Sequence, residues 1–210
     1  MRELPEKTIE RLSEYRRTLL NLLSKGKTYI YSHELANLHN ITAVQVRRDI
    51  MLIGYSSVLK KGYEIKQLIS VIGEIIDTNQ GLNVAVIGVG NLGRAITTYF
   101  SGKRPKLNII ATFDVDPAKV NKVVVGVYCH HLNDLENVIR EKNISIGIIT
   151  VPVEQAYDVA NKLVISGIKG ILNFTSVLLN VPDHVFLEEF DMITSLEKVA
   201  YYVKSINKDV

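Results

Sequence analysis

The chain has one cysteine, Cys129, no tryptophan, five prolines among 210 residues, and no apolar run approaching the roughly 20 residues that a membrane-spanning helix needs. A lone cysteine cannot close an intrachain disulfide, which excludes a disulfide-stapled secreted scaffold and fits a reducing compartment. The opening MRELPEKTIERL alternates charges where a secretory signal needs an apolar stretch, so a cytoplasmic protein without a membrane partner is expected. Excess charge is also missing, since 25 Lys/Arg against 22 Asp/Glu leave +3, too little on its own to demand a polyanionic partner. What is present is an ordinary packing composition, 47% hydrophobic and 22% charged, at a length that suits one large domain or two small ones.

The small positive excess is not spread evenly. Residues 1–81 hold 12 Lys/Arg against 9 Asp/Glu, whereas residues 82–210 balance at 13 of each. Within residues 42–63, Arg47, Arg48, Lys60 and Lys61 face only Asp49. The same stretch reads as helical. Ile9, Leu12, Leu19, Leu20, Leu22 and Leu23 recur near a 3.6-residue period, predicting a helix from about Glu6 to Ser24. Ser32 opens a short second helix ending near Asn40, and Thr42 caps a third that Gly54 closes. Two short helices joined tightly, the second exposing Gln45, Arg47 and Arg48 near its start, match a helix-turn-helix. The basic stretch from Tyr55 to Tyr63 has the composition of a wing that touches DNA backbone or minor groove. A solvated helical bundle is the other reading of this pattern. Lys66 to Asp77 then forms a connecting helix.

At Leu82 the pattern changes to continuous apolar runs bounded by Gly, Asp or Asn. Strands are expected near Asn83–Ile87, Leu107–Phe113, Gly126–Cys129, Ser145–Thr150 and Gly170–Asn173. Helices near Gly93–Phe100, Leu132–Glu141 and Glu154–Ser166 alternate with them, predicting an α/β fold with a doubly wound parallel sheet. The first strand runs into Gly88-Val89-Gly90-Asn91-Leu92-Gly93, the glycine fingerprint of a dinucleotide site in the context it requires. Gly88 permits the tight turn, Gly90 lets backbone approach a pyrophosphate, and Gly93 packs helix on strand. Asp114, at the end of the next strand, supplies the acidic residue expected to accept from the adenosine ribose. No Arg follows it immediately, which favours NAD(H) over NADP(H).

A dehydrogenase would also need a proton donor and substrate anchors. Tyr99 and Lys103 have a Tyr-x-x-x-Lys spacing but fall on the first helix after the fingerprint, the wrong position for that pair. Cys129, His130 and His131 are consecutive and cannot all converge on one ion, so no metal site is expected. His33, His39 and His184 lack a recognisable nucleophile or carboxylate partner. A cofactor site without catalytic residues points to sensing. Residues 188–207 form an apolar-striped tail helix, with Met192, Ile193, Leu196, Val199, Ala200, Val203 and Ile206, which either docks on its own domain or crosses to a second subunit.

The joint order of these features resembles the Rex family of redox-sensing transcriptional repressors. The likeness rests on RLSEYRRTL (Arg11 to Leu19), SHELA (Ser32 to Ala36), TAVQVRRD (Thr42 to Asp49), Gly62-Tyr63, GVGNLGRA (Gly88 to Ala95), FDVDP (Phe113 to Pro117), TVP (Thr150 to Pro152) and GIKGILNF (Gly167 to Phe174). It implies a winged helix over residues 1–81, an NAD(H)-binding Rossmann domain over 82–187, and a dimerisation helix over 188–210 that is swapped between subunits. A homodimer would bind double-stranded inverted-repeat operator DNA when NAD⁺ is abundant and leave it on binding NADH. By position, Ser32, Thr42, Gln45, Arg47, Arg48, Lys60, Lys61 and Tyr63 would serve DNA. The cofactor would meet the segment from Gly88 to Gly93, Asp114, Val115, Thr150, Val151, Pro152, Asn173 and Phe174, with Tyr99 helping to sense the nicotinamide. Arg17 and Asp191, with Met192 after it, fall where the family links the winged helix to the swapped helix.

The chain departs from the family's pattern at Ser57-Val58-Leu59-Lys60 in the wing, at Thr175-Ser176 and at Met192. The expected function is therefore a dimeric, NADH-responsive repressor rather than an enzyme. A small NAD-dependent oxidoreductase with a helical N-terminal appendage is the alternative.

Overall fold

The computed structural model describes residues 4–56, 62–78, 80–100, 102 and 106–206. It separates into two compact units, Met1–Asn79 and Gln80–Val210.

In the first unit, α1 (Glu6–Ser24) buries Thr8, Leu12, Tyr15 and Leu19 along one stripe, at spacings of three and four residues that a helix brings to one face. A two-residue strand, β1 (Tyr29–Ile30), pairs antiparallel with β2 (Tyr63–Glu64). Between them lie α2 (Ser32–Leu38) and α3 (Ala43–Leu52), packed on each other. Glu34 accepts from Tyr31 N at 2.8 Å at the start of α2, and the Thr42 hydroxyl accepts from Gln45 N at 3.2 Å at the start of α3. Each satisfies an amide that the first helical turn leaves unpaired. The helix α4 (Ile65–Ile76) packs on α1. Arg16, in the middle of α1, grips Asp77 at the C-terminal end of α4 with two 2.8 Å hydrogen bonds.

The second unit is a seven-stranded sheet in the order β5-β6-β4-β3-β7-β8-β9. The strands are β3 (Leu82–Ile87), β4 (Leu107–Asp114), β5 (Lys122–Val124), β6 (Val127–His131), β7 (Ile144–Ile149), β8 (Gly170–Asn173) and β9 (Phe186–Glu189). All neighbours are parallel except β5 and β6. Helices α5 (Asn91–Phe100), α6 (Leu135–Glu141) and α7 (Ala156–Ile165) carry the crossovers. The alternation along β3 explains the layering. Val84 and Val86 bury among Ile96 and Ile148 on one face, and Ala85 and Ile87 join Phe113, Leu135 and Val159 on the other. Both faces are covered, hence the continuous apolar strands.

The expected α/β sheet is present, with two strands the periodicity did not signal. One is β5, which forms a hairpin with β6. The other is β9, whose span overlaps the expected start of the tail helix; that helix, α8 (Met192–Ile206), begins later. Asp191 sets its start by accepting from Ile193 N at 2.8 Å and from the Thr194 hydroxyl at 2.6 Å. Met192, Ile193, Leu196, Val199 and Val203 on α8 are all more than half exposed. No helix among the described residues is long and apolar enough to cross a membrane.

Candidate functional site

The C-terminal ends of β3, β4, β6 and β7 open on a cleft of about 380 Å³. This is where the strand order reverses, the position at which open parallel sheets bind ligands. After β3 the lining is Ile87, Gly88, Gly90, Asn91 and Leu92; after β4 it is Phe113, Asp114, Val115 and Lys119. Leu132 follows β6, and Thr150, Val151, Pro152 and Gln155 follow β7.

The glycine loop owes its shape to close backbone approaches. Gly88 has φ +94°, and a Cβ there would lie 2.8 Å from Thr150 O. A Cβ on Gly93 would collide with Gly88 O. Thr150 closes the same contact from across the sheet, its hydroxyl donating to Ile87 O at 3.0 Å and Gly88 O at 2.7 Å. Gly90 is different, because a Cβ there would meet nothing within 4 Å. The loop is therefore packed tightly behind and left open in front, beside the first amides of α5. An open glycine at a helix N-terminus is the cradle a pyrophosphate needs.

Asp114 is held at the rim by four donors. Its Oδ1 accepts from Val115 N and Asp116 N, both at 2.9 Å. Its Oδ2 accepts from Val89 N at 2.8 Å and Lys119 Nζ at 3.1 Å. Burial alone would raise the pKa of this carboxyl, but the donors from Asp116, Val89 and Lys119 outweigh it and hold the group below its usual value. The hydrogen bond to Asp114 in turn raises the Lys119 ammonium.

Nine of the expected cofactor residues line the cleft, namely Gly88, Gly90, Asn91, Leu92, Asp114, Val115, Thr150, Val151 and Pro152. Val89 and Gly93 are buried behind it and shape the loop. Asn173, Phe174 and Tyr99 are not among the lining residues. Asn173 is fully buried and its amide is consumed internally, donating to Val177 O and Glu189 Oε2 and accepting from Thr175 N and the Thr175 hydroxyl. The Phe174 ring lies against Phe190, with centroids 5.1 Å apart. Tyr99 lies exposed on α5 against Phe100. Sequence reasoning missed the polar lining residues Lys119 and Gln155 and the apolar ones Ile87, Phe113 and Leu132. Lys119 was signalled by Asp116-Pro117-Ala118-Lys119, a turn in which Lys119 N donates to Asp116 O at 2.9 Å and folds the side chain back toward Asp114. The described residues contain no cluster of three or more His, Cys, Asp or Glu fit for a metal.

In the first unit, Arg47 and Arg48 are exposed on α3, and Arg47 Nη1 donates to the Ser32 hydroxyl at 3.1 Å. That contact brings two of the expected DNA-facing residues together. Thr42 is committed to capping. Gln45 is half-buried, and its amide donates to Asp49 Oδ1 at 2.9 Å along its own helix. Tyr63 has its ring in the core beside Tyr55 and its hydroxyl pKa raised, first by burial. Lys60, Lys61 and the Ser57–Leu59 departure lie outside the described residues. Arg17 is exposed on α1, and Asp191 caps α8, each within its own unit.

Two family models match. One, described as the putative DNA-binding protein N-terminus, covers residues 3–50; the other, described as a CoA binding domain, covers residues 79–177. The redox-sensing transcriptional repressor Rex of Syntrophobacter fumaroxidans is 39% identical over 202 residues, 96% of each chain. The chain belongs to the Rex family. The Rex repressor of Geobacillus kaustophilus is 37% identical over 97% of this chain and 95% of its own length. Among solved structures, a Rex-family repressor in complex with β-NAD⁺ and operator DNA superposes with a TM-score of 0.90 at 32% identity, covering 99% of this chain and 95% of that one. The same repressor with β-NADH gives 0.87 at 31% identity, covering 99% and 97%.

Proposed function

We propose that this Rex-family chain is a transcriptional repressor that binds an inverted-repeat operator as a homodimer and releases it when NADH occupies the cleft. The observation that carries the reading is the cleft's construction. An open Gly90 stands at the start of α5, and Asp114 is fixed at the end of β4 by three backbone amides. Gly90 and the α5 amides would hold the pyrophosphate, Asp114 the adenosine ribose, and Thr150 to Pro152 the opposite wall. When bound, the dinucleotide supplies the redox signal.

The lining also favours sensing over turnover. Its ionisable side chains are Asp114 and Lys119, and they are paired with each other. On the DNA side, Arg47 and Arg48 stand exposed on a helix capped by Thr42, as a recognition helix requires. The exposed apolar stripe of α8 supports a dimer, because pairing two copies covers it and supplies two recognition helices for the two half-sites of an inverted repeat. NADH and operator binding are then linked reciprocally, so whatever factor NADH removes from operator affinity, operator removes from NADH affinity.

The test is fluorescence anisotropy of a labelled duplex selected from a randomised library, titrated with the protein alone, with NAD⁺ and with NADH. Salt is held fixed because phosphate contacts dominate affinity. Release by NADH alone is expected; equal affinity under all three conditions would overturn the reading, and substrate-dependent NADH turnover would point to the oxidoreductase.

A further inference from the structure

Neither the glycine fingerprint nor the acidic position calls for Lys119, yet its side chain lines the cleft. Its Nζ lies 3.1 Å from Asp114 Oδ2 and 3.4 Å from Asp116 Oδ2. An ionised carboxylate offers about four lone-pair sites. In Asp114 all of them are engaged, by Val115 N and Asp116 N on Oδ1 and by Val89 N and Lys119 Nζ on Oδ2. The three amides are fixed by the backbone around them. The ammonium rides on a flexible four-carbon stem and is about one-third exposed, at 32%. A ribose hydroxyl can therefore donate to Asp114 only by moving Lys119 aside, and the displaced ammonium remains within reach of Asp116, beside the ribose.

We propose that Lys119 sets how strongly this cleft discriminates between a bare and a 2′-phosphorylated adenosine ribose. The proposal rests on reading the cleft as an NAD(H) site. The Asp114 carboxylate repels a 2′-phosphate, and the ammonium next to it offsets that repulsion. A bare ribose is neutral, so losing Lys119 exchanges one hydrogen-bond partner for another. A phosphate, carrying between one and two negative charges, loses its counter-charge and faces an unscreened carboxylate. Discrimination against NADP(H) is thus a balance between two side chains five residues apart rather than a property of Asp114 alone.

Calorimetric titration of the full chain with NADH and with NADPH at fixed salt tests this, using wild type, Lys119→Met and Lys119→Arg. In Lys119→Met the ratio of the NADPH to the NADH Kd should rise about fivefold or more, a change readily resolved as a difference in binding free energy. Lys119→Arg, which keeps the charge, should stay close to the wild-type ratio. A smaller rise in Lys119→Met, or a Lys119→Arg that behaves like it, overturns the proposal. Wild-type protein that binds no NADH overturns the NAD(H) reading itself, whereas normal NADH binding with an unmoved ratio overturns only the role of Lys119.

Discussion

Arg11 grips Asp49 through two parallel hydrogen bonds, Nε to Oδ2 at 2.7 Å and Nη2 to Oδ1 at 2.8 Å. The carboxylate is fully buried and also accepts from the Tyr15 hydroxyl at 2.9 Å and the Gln45 amide at 2.9 Å. Asp49 sits on α3 and Arg11 and Tyr15 on α1, so this network fixes the helix that carries Arg47 and Arg48. Burial alone would raise the Asp49 pKa; the hydrogen bonds from Arg11, Tyr15 and Gln45 prevail and lower it. Burial also drives the Tyr15 hydroxyl upward, so it stays a donor at physiological pH.

Asp49→Ala removes the centre of that network and strands the groups around it, which should cost about 3 kcal/mol. Urea unfolding of the full chain reads this directly. The pH dependence has a definite sign. Because the folded pKa is depressed, the contribution is fully present above the unfolded value of about 3.9 and is lost as pH falls through the lower folded value. Wild type should therefore lose an increment of stability below about pH 4 that the variant does not. Parallel acid profiles in the two proteins would contradict the assignment.

Gly90 separates fold from ligand. A Cβ there meets nothing within 4 Å, so Gly90→Ala should fold with stability within about 0.5 kcal/mol of wild type. If a pyrophosphate lies against this backbone, the added methyl should weaken NADH binding by about tenfold or more. Gly93→Ala differs, because its Cβ collides with Gly88 O and the loop itself must move. Undiminished NADH affinity in Gly90→Ala would show that the phosphates bind elsewhere.

The β5–β6 hairpin carries a local conflict. Its two-residue turn, Val125-Gly126, has φ +53° and +77°, the arrangement of a type I′ turn, which prefers Asn-Gly. A β-branched side chain in the left-handed region costs on the order of 1 kcal/mol. Val125→Asn should raise stability by about that amount, seen as a higher melting temperature with unchanged NADH binding. A lower melting temperature would mean that Val125 packing outweighs the strain.

Local periodicity made most of the architecture legible. The extent of α1, the capping of α3 by Thr42, and the strand, glycine loop and Asp114 were all readable because each depends on residues close in sequence. The misreadings share a physical cause, namely partners that periodicity cannot see. Gln45 looked solvent-facing, but its amide is held by Asp49, which answers to Arg11, 38 residues away. Strand β9 exists because Phe186 to Glu189 pair with β8, tied by Asn173 to Glu189 across a loop. Thr175, an apparent oddity in sequence, donates its hydroxyl to Asn173 at 2.8 Å within that loop. Lys119 was missed because the fingerprint specifies an acid and says nothing of the cation that folds back on it.

The same logic separates two residues of α3 that sequence alone treats as equivalent DNA readers. Arg47 is exposed and donates to the Ser32 hydroxyl at 3.1 Å, a bond that a base edge or phosphate can replace. Arg47→Ala should lower operator affinity by about 1–3 kcal/mol with little change in stability. Gln45 already spends its amide on Asp49, so Gln45→Ala should instead lose about 1 kcal/mol of stability and cost less operator affinity than Arg47→Ala. Anisotropy with the operator and a scrambled duplex at fixed salt, paired with urea unfolding, measures both quantities. If Gln45→Ala lost as much operator affinity as Arg47→Ala while its urea midpoint stayed put, Gln45 would leave Asp49 to read DNA, and the buried network would not need it.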